Sequence, residues 1–266
     1  MTTRRRRVLV FTVIALVWAG AAAAQKNQKK KDAKKADATP EAVKDAPMPF
    51  RVGEPLNYRV AWAAFSNAAS VEMHVVEQRD LYGWKTWHLR ALAHTQGSVR
   101  SLFTIDDQFD SYTDALTGEC HQFELYLDEL GRKRNQTMQL VPPGQKAQPG
   151  MPSVIVQPGT RDPLGAVYML RGVDWKQKPE VKAPLFDGQN LFEMRAKQEA
   201  ASEKVSVAAG SFEATRISIH LFQFGKELAD DSFVIWFAHD EARTPVAMQA
   251  DLPFGSLHAE LVPAGK

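Results

Sequence analysis

Two histidines and an arginine recur at even spacing along one strand-like segment of this 266-residue sequence: His88, Arg90 and His94. Side chains an even number of residues apart in a strand point to the same face. The three could therefore line a polar cleft or offer two ligands to a metal ion. A zinc site needs three or four protein ligands, and the sequence does not identify a third. Histidines that are solvated or hydrogen bonded for structural reasons account for the pattern more simply.

Two acidic clusters flank another predicted strand: Asp230-Asp231 and His239-Asp240-Glu241. Such groups could form a general acid/base pair. Charged residues at strand ends also keep the edges of a sheet soluble, and we favour this second interpretation. Asp240 and Arg243 are spaced to pair with each other across the turn that precedes Pro245.

Catalytic motifs are missing from the sequence. It contains no His-Glu-x-x-His helix, no Cys-x-x-Cys pair and no Gly-x-Ser-x-Gly elbow. Cys120, the single cysteine, is expected to be a small buried residue, with a reactive or dimer-forming thiol as the alternative. We therefore predict a protein that is not an enzyme and has no catalytic residue, metal or cofactor.

Strict alternation of apolar and polar residues dominates from Phe50 onward, which is typical of strands with one buried face. Turn signals such as Tyr82-Gly83 and Leu130-Gly131 separate these runs and favour antiparallel hairpins. A meander of about ten or more strands tends to curl because sheet twist accumulates. We predict a mainly β fold: a curved antiparallel meander, half-barrel or barrel, with one or two short helices.

One clear helix interrupts the strands. Asp162 is placed to cap its first turn, Pro163 suits its first position, and Gly172 is placed to end it. Arg171 would then lie in the last turn, where a cation suits the helix dipole. A second, short helical turn is an option near residues 98–103, where a strand fits almost as well.

Both faces are apolar near two of the predicted strands, around Phe222 and Phe224 and around Phe233 and Phe237. In a curved sheet, this pattern means either that a helix covers one face or that a cavity is lined with apolar groups. The first alternative needs only the predicted helix, and we prefer it. The second makes these four phenylalanines candidates for the lining of an apolar ligand site.

The first residues have the layout of a secretory signal peptide: four arginines, an apolar stretch and then small residues. We predict a signal peptide over residues 1–24, cleaved between Ala24 and Gln25. The apolar stretch is too short for a membrane anchor, so no transmembrane span is expected in the mature chain. Residues 25–49 are predicted to be a disordered Lys/Ala-rich linker, and residues 50–266 a single β-rich domain.

The formal charge of +2 hides an uneven distribution. The signal peptide and the lysine-rich linker together carry seven net positive charges, which leaves residues 50–266 at about minus five. A nucleic-acid-binding domain should show the opposite sign, so we predict no nucleic-acid partner.

Three sequence stretches, taken in order, resemble the bacterial domain-of-unknown-function family numbered 3108. They are residues 50–58, residues 161–171 and a third stretch from Trp236 to Leu257. Their motif residues are Gly53, Glu54, Tyr58, Asp162, Pro163, Arg171, Trp236, Asp240, Arg243, Pro245 and Gly255. The resemblance implies an envelope protein with a mostly antiparallel β fold, similar to the curved sheets of lipoprotein carriers. It implies no activity.

Three functional hypotheses follow. The first is a non-enzymatic periplasmic or secreted protein that holds an apolar ligand, such as a lipid, within its curved sheet. The second is an envelope scaffold or protein-interaction module that uses a sheet face or edge. The third is a hydrolase with an unrecognised site, whose sign would be His88, His94, Asp240 or Glu241 converging in one pocket.

Overall fold

The computed structural model describes residues 48–252 and 255–264, with the backbone alone at residues 229–231. The predicted signal peptide, its cleavage site at Ala24 and Gln25, and nearly all of the predicted linker lie outside the described residues. The first strands and helix are β1 (Pro55–Trp62), β2 (Phe65–Leu81), β3 (Trp84–Thr95), α1 (Gly97–Leu102), β4 (Asp106–Asp114), β5 (Cys120–Glu129), β6 (Arg132–Val141) and β7 (Ser153–Ile155). The remaining elements are α2 (Pro163–Gly172), β8 (Glu180–Phe186), β9 (Leu191–Val207), β10 (Gly210–Gln223), β11 (Lys226–Ala238), β12 (Pro245–Leu252) and β13 (Gly255–Leu261).

The strands form one curved sheet of 13 members in the order β7-β6-β5-β4-β3-β2-β1-β13-β12-β11-β10-β9-β8. The predicted antiparallel, mainly β fold with two short helices is confirmed. The antiparallel meander falls into two runs, β1 to β6 and β8 to β13. They join where β1 pairs with β13, with Tyr58 opposite Leu261. At one edge, β7 pairs with β6 in parallel.

Alternating burial shows why these segments are strands. Leu56, Tyr58 and Val60 of β1 are buried, and the residues between them are not. Two-residue turns connect several hairpins, and both central residues have positive φ at Leu130-Gly131 and at Phe224-Gly225. This backbone geometry matches the twist of antiparallel strands and produces the tight turns predicted at the glycines.

Helix α2 lies inside the curve of the sheet. The Asp162 carboxylate accepts a hydrogen bond of 2.9 Å from the Gly165 amide, and Pro163 occupies the first turn, as predicted. Every residue from Pro163 to Arg171 is buried, so the helix is apolar all round rather than amphipathic. The helix fills the interior and packs into the single large core.

Strand β5 and the edge strand β8 approach each other through a short segment before α2. The Cys120 amide of β5 donates to the Thr160 carbonyl over 2.9 Å, and the Arg161 amide donates to the Pro184 carbonyl of β8, also over 2.9 Å. The Phe123 and Phe186 rings lie 5.9 Å apart between the same two strands. The curved sheet thus has a barrel-like shape without continuous pairing around it.

A second, smaller apolar cluster lies on the opposite face of β11. Ala214, Ala238 and Val246 are buried there, and Phe212 and Trp236 pack against them. The Trp236 indole NH donates a hydrogen bond to Glu203 of β9. The apolar residues on both faces of β11 are therefore covered, by α2 on one side and by the β9–β10 hairpin on the other.

Candidate functional site

The C-terminal end of α2 is fixed by a buried arginine. The Arg171 guanidinium donates one hydrogen bond of 2.7 Å to each carboxylate oxygen of Glu54. It also donates to the Ala242 carbonyl, and it lies 5.3 and 5.2 Å from the ring centroids of Phe50 and Tyr168. These four hydrogen bonds are directed inward and the side chain is inaccessible to solvent, so this cation is enclosed rather than offered to a ligand.

The turn between β11 and β12 closes over the same end of the helix. Arg243 donates to the Arg171 carbonyl over 3.0 Å and to the Val173 carbonyl over 2.5 Å. The Asp240 carboxylate accepts from the Thr244 amide and hydroxyl, and no ion pair in the described residues joins it to Arg243. Asp240 and Arg243 therefore meet across the turn through their backbones, with the Arg243 amide donating to the Asp240 carbonyl over 3.1 Å, whereas the Arg243 side chain binds the α2 carbonyls instead of the Asp240 carboxylate.

The N-terminal end of α2 contains a second enclosed polar group. Besides capping the helix, the Asp162 carboxylate accepts a 2.5 Å hydrogen bond from the Ser111 hydroxyl. Burial raises the pKa of Asp162 despite these hydrogen bonds. Burial also raises the pKa of the Cys120 thiol well above its usual value, with the nearby Asp162 carboxylate adding to the effect. Cys120 is buried, as predicted, and its thiol stays protonated.

Most motif residues of the sequence resemblance therefore surround α2. Tyr58 contributes a hydrogen bond of 2.7 Å from its hydroxyl to the Pro245 carbonyl. Gly53 has a φ of +82° and donates from its amide to the Val75 carbonyl. At Gly255, a Cβ would lie 3.2 Å from Trp62 Nε1, so a side chain there would press on the indole ring. Gly255 and Trp236 are exceptions, because Gly255 lies at the start of β13 and Trp236 packs on the other face of the sheet.

A cavity between α2 and β8–β12 has a volume of about 20 Å³. Such a volume holds about one water molecule. Phe233 lines it together with helix residues such as Ala166 and Leu170. Phe237 is buried in the core but does not line this cavity.

The other two candidate lining residues point elsewhere. Phe222 lies beneath Arg195, whose guanidinium carbon is 3.8 Å from the ring centroid. Phe224 is 98% exposed at the tip of the β10–β11 hairpin. The prediction that these two residues line an apolar site is therefore wrong. Strand alternation places the Phe222 side chain on the face of the sheet opposite to that of Leu221, which lines the cavity. Phe224 belongs to the turn and not to a strand.

The predicted histidine pair lies on the outer face of β3. His88 Nε2 is 2.6 Å from Asp110 Oδ1, which also accepts a 2.7 Å hydrogen bond from Arg90 Nε. Burial raises the pKa of Asp110, but hydrogen bonds from His88, Gln108 and Arg90 outweigh burial and leave the pKa below its ordinary value. His88 Nδ1 has no hydrogen-bond partner, and Glu77 Oε1 lies 3.9 Å away.

His94 belongs to a separate ion pair at the end of the same strand. Its Nδ1 is 2.8 Å from Asp106 Oδ1, and Arg100 binds both oxygens of that carboxylate. The hydrogen bond from Arg100 is the largest cause that lowers the pKa of Asp106 to about 2. Residues 48–252 and 255–264 contain no group of three or more potential ligands that could hold a metal ion.

The quartet expected for a hydrolase does not converge. His88 and His94 each pair with a carboxylate of β4, whereas Asp240 and Glu241 lie in the β11–β12 turn. Sequence reasoning missed Asp106 and Asp110, the actual partners of the histidines. The sequence contained one indication of these partners, the even spacing of acidic residues in β4. Assigning each carboxylate to its histidine also required the pairing register of β3 with β4.

Fold and site together define a class: a β-barrel-like protein whose interior is occupied by one short helix fixed at both ends. The chain belongs to the DUF3108 family, a protein family of unknown function, whose model matches residues 57–262. The predicted resemblance is confirmed. No curated protein matches the chain.

Solved structures align with the chain at low sequence identity. A β-barrel-like protein of family DUF1849 from Brucella abortus aligns with a TM-score of 0.51 and 13% identity, over 78% of this chain and 94% of that chain. A predicted exported protein with a YmcC-like fold from Bacteroides fragilis has a TM-score of 0.37 and 11% identity, over 82% and 98%. A predicted lipoprotein from Parabacteroides distasonis has a TM-score of 0.39 and 10% identity, over the same two fractions.

Neither α1 nor α2 is long and apolar enough to cross a membrane, and the described residues contain no other helix.

Proposed function

We propose that this is a non-enzymatic, exported envelope protein whose filled barrel is a rigid module that binds its partner with its outer surface. The position of α2 carries this proposal, because the helix occupies the space that a carried ligand would need. The cavity beside α2, of about 20 Å³, compares with roughly 300–1,000 Å³ for sites that bind small organic ligands. The predicted signal peptide supports a periplasmic or secreted location.

The environments of the candidate catalytic groups support a non-catalytic role. Asp162 and Cys120 are enclosed in the core. His88 is held by Asp110 and stacked on the Tyr112 ring, with 4.6 Å between centroids. A general base must reach the proton of a bound substrate, and the only ring nitrogen of His88 without a hydrogen bond is buried.

Uptake of an apolar fluorescent probe tests the proposal. We expect that 1-N-phenylnaphthylamine, which brightens in apolar sites, gives no saturable signal with the wild-type protein. Phe233→Ala is compared with the wild type in benzene binding rather than with this larger probe, because removing the ring should enlarge the cavity toward the size that accepts benzene-sized molecules. Stoichiometric uptake by the wild type would contradict the proposal.

An apolar ligand inside the barrel is the second candidate. It is favoured by the lining of the cavity, in which Leu221, Ile235 and Met248 face the apolar side of α2. A lipid chain would enter only if α2 withdrew from the sheet. Native mass spectrometry of protein purified without detergent separates the candidates, since a constant lipid adduct would support this second one.

A further inference from the structure

Four exposed apolar side chains lie at one end of the barrel. They are Leu102 at the end of α1, Leu130 in the β5–β6 turn, Leu191 at the start of β9 and Phe224 in the β10–β11 turn. The antiparallel pairings place the ends of β3, β5, β8 and β10 at this same end. We name these four residues the apolar rim.

Folding does not account for two of these residues. Leu130 and Phe224 each have a φ of +52° and precede a glycine in a two-residue turn. Asn, Asp or Gly is favoured at this position, and a bulky residue is strained there. Phe224 is also 98% exposed and Leu130 is 52% exposed, so burial of these side chains does not offset the backbone strain. Residues that oppose local backbone preferences without a compensating gain in packing are expected at functional sites.

The hairpin turn between β2 and β3, at the opposite end, provides a comparison. Tyr82 also has a positive φ before a glycine, but its hydroxyl donates to the Gln122 side chain. The neighbouring Trp84 stacks on His121, with 5.2 Å between ring centroids. The aromatic residues of that turn therefore make stabilising contacts within the protein, in contrast to Phe224.

Exposed cations lie beside the apolar rim in the sequence and in the turns. Arg132 and Arg134 follow Leu130, and Lys226 follows Phe224. All three of these side chains are exposed. Several acidic side chains at this end already contact a basic one, as in the Arg100–Asp106, Lys133–Asp128, Arg195–Glu193 and His220–Glu227 pairs. Apolar tips with exposed cations beside them match the chemistry of an anionic lipid surface.

We propose that the apolar rim docks on an anionic phospholipid bilayer. Phe224 and Leu130 enter the boundary between headgroups and acyl chains, and Arg132, Arg134 and Lys226 lie over the lipid phosphates. This inference rests on the proposed function, because it assigns a partner to one part of the outer surface. Probe uptake by the barrel interior and membrane docking are measured separately, so either can fail alone.

Vesicle co-sedimentation tests the inference with the processed protein purified from bacterial cells. We expect roughly tenfold stronger binding to vesicles that contain about one third phosphatidylglycerol than to pure phosphatidylcholine vesicles, weakened by high salt. The double variant Leu130→Asn/Phe224→Asn should lose roughly tenfold in binding, while its melting temperature stays equal or rises because Asn-Gly suits both turns. Leu116→Asn, 72% exposed at the opposite end, is the matched control and should bind like the wild type.

A spectroscopic variant reports insertion directly. Phe224→Trp should show a blue-shifted emission on phosphatidylglycerol vesicles and quenching by brominated acyl chains, because the ring leaves water. Failure of the wild type to bind these vesicles overturns the inference. So does undiminished binding by the double variant, which would assign the interaction to the lysines of residues 25–49 or to another surface. Binding of a protein at the rim without vesicle binding overturns it as well.

Discussion

Arg171 and Glu54 form a buried two-point ion pair across 117 residues of sequence, with both N–O distances at 2.7 Å. The arginine closes α2, and the glutamate directly precedes β1. This pair connects the helix inside the barrel to the strand at the centre of the sheet. Because the Arg171 side chain is inaccessible to solvent, the loss of one partner leaves an uncompensated charge in the core.

Removal of the arginine should be severely destabilising. We expect Arg171→Met to lower the free energy of unfolding by about 3–5 kcal/mol, since Glu54 would stay buried without its partner. Urea denaturation measures this change. Adding Glu54→Leu should recover most of the loss, because two apolar residues of similar volume leave no unpaired charge.

An exposed ion pair offers the control for this experiment. Arg59 pairs with Glu260 on neighbouring strands, and nearly half of its side chain is accessible. Arg59→Ala should cost at most about 1 kcal/mol, because water screens the pair. Equal effects of the two arginine substitutions would mean that the buried pair does not hold α2 in place.

The cap of α2 should also contribute measurably. Asp162→Ala removes the acceptor for the Gly165 amide and one of the two partners of the Ser111 hydroxyl, which keeps its hydrogen bond to Thr113. We expect a loss of about 2–4 kcal/mol from the two effects together. The control is Asp174→Ala at an exposed turn, where the carboxylate accepts from the Lys176 amide and the change should stay within about 0.5 kcal/mol.

Asp107 should make stability depend on pH. Burial is the main cause that raises its pKa to about 7, and its Oδ2 has no hydrogen-bond partner. The folded state therefore holds a proton that the unfolded state releases near pH 4, so this residue costs stability as the pH rises from about 4 to about 7. Asp107→Asn should have the same urea midpoint as the wild type near pH 4 and a higher urea midpoint than the wild type at pH 8.

The neighbouring Asp106 should behave with the opposite sign. Its pKa of about 2 lies below the ordinary value, mainly because Arg100 donates to it. The stabilisation is present above about pH 4 and is lost as the pH falls toward 2. Asp106→Asn should therefore be less stable than the wild type at pH 7 and equal to it at the lowest pH. A pH-independent difference for both variants would contradict these assignments.

The two glycines of α2 should differ in their tolerance of a methyl group. A Cβ at Gly165 would lie 2.7 Å from Thr113 Oγ1 and 2.8 Å from Asp162 Oδ2, whereas one at Gly172 would meet Met48 Sδ at 3.1 Å. Gly165→Ala should destabilise by about 1–3 kcal/mol through overpacking. Gly172→Ala should be nearly neutral, because the methionine is flexible and alanine favours a helix. Thermal unfolding compares the two, and equal effects would argue against close contact at Gly165.

Local signals predicted the elements of this protein. Alternation identified the strands, and Asp162 with Pro163 identified the start of α2, because capping and side-chain direction depend on neighbours in sequence. These local signals could not predict which distant segments pair with each other. Neither the β1–β13 contact nor the Arg171–Glu54 pair leaves a local pattern, since each depends on how the whole sheet curls.

The candidate site was predicted less well for the same reason. The two apolar faces around Phe222 and Phe233 look alike in sequence, yet a cation from the adjacent strand covers one and α2 packs near the other. Which face meets the helix is decided by register and curvature. Export, cleavage between Ala24 and Gln25, and the lysine-rich linker remain predictions, as does the absence of enzymatic activity.

The pairing of the first strand with the last has a kinetic consequence. Until β13 has been synthesised, β1 has no partner along one edge, and the two halves of the sheet cannot join. Contacts between such distant segments slow folding, and open edges invite intermolecular association meanwhile. This chain should therefore fold post-translationally and depend on holding chaperones while it waits for its C-terminal strand.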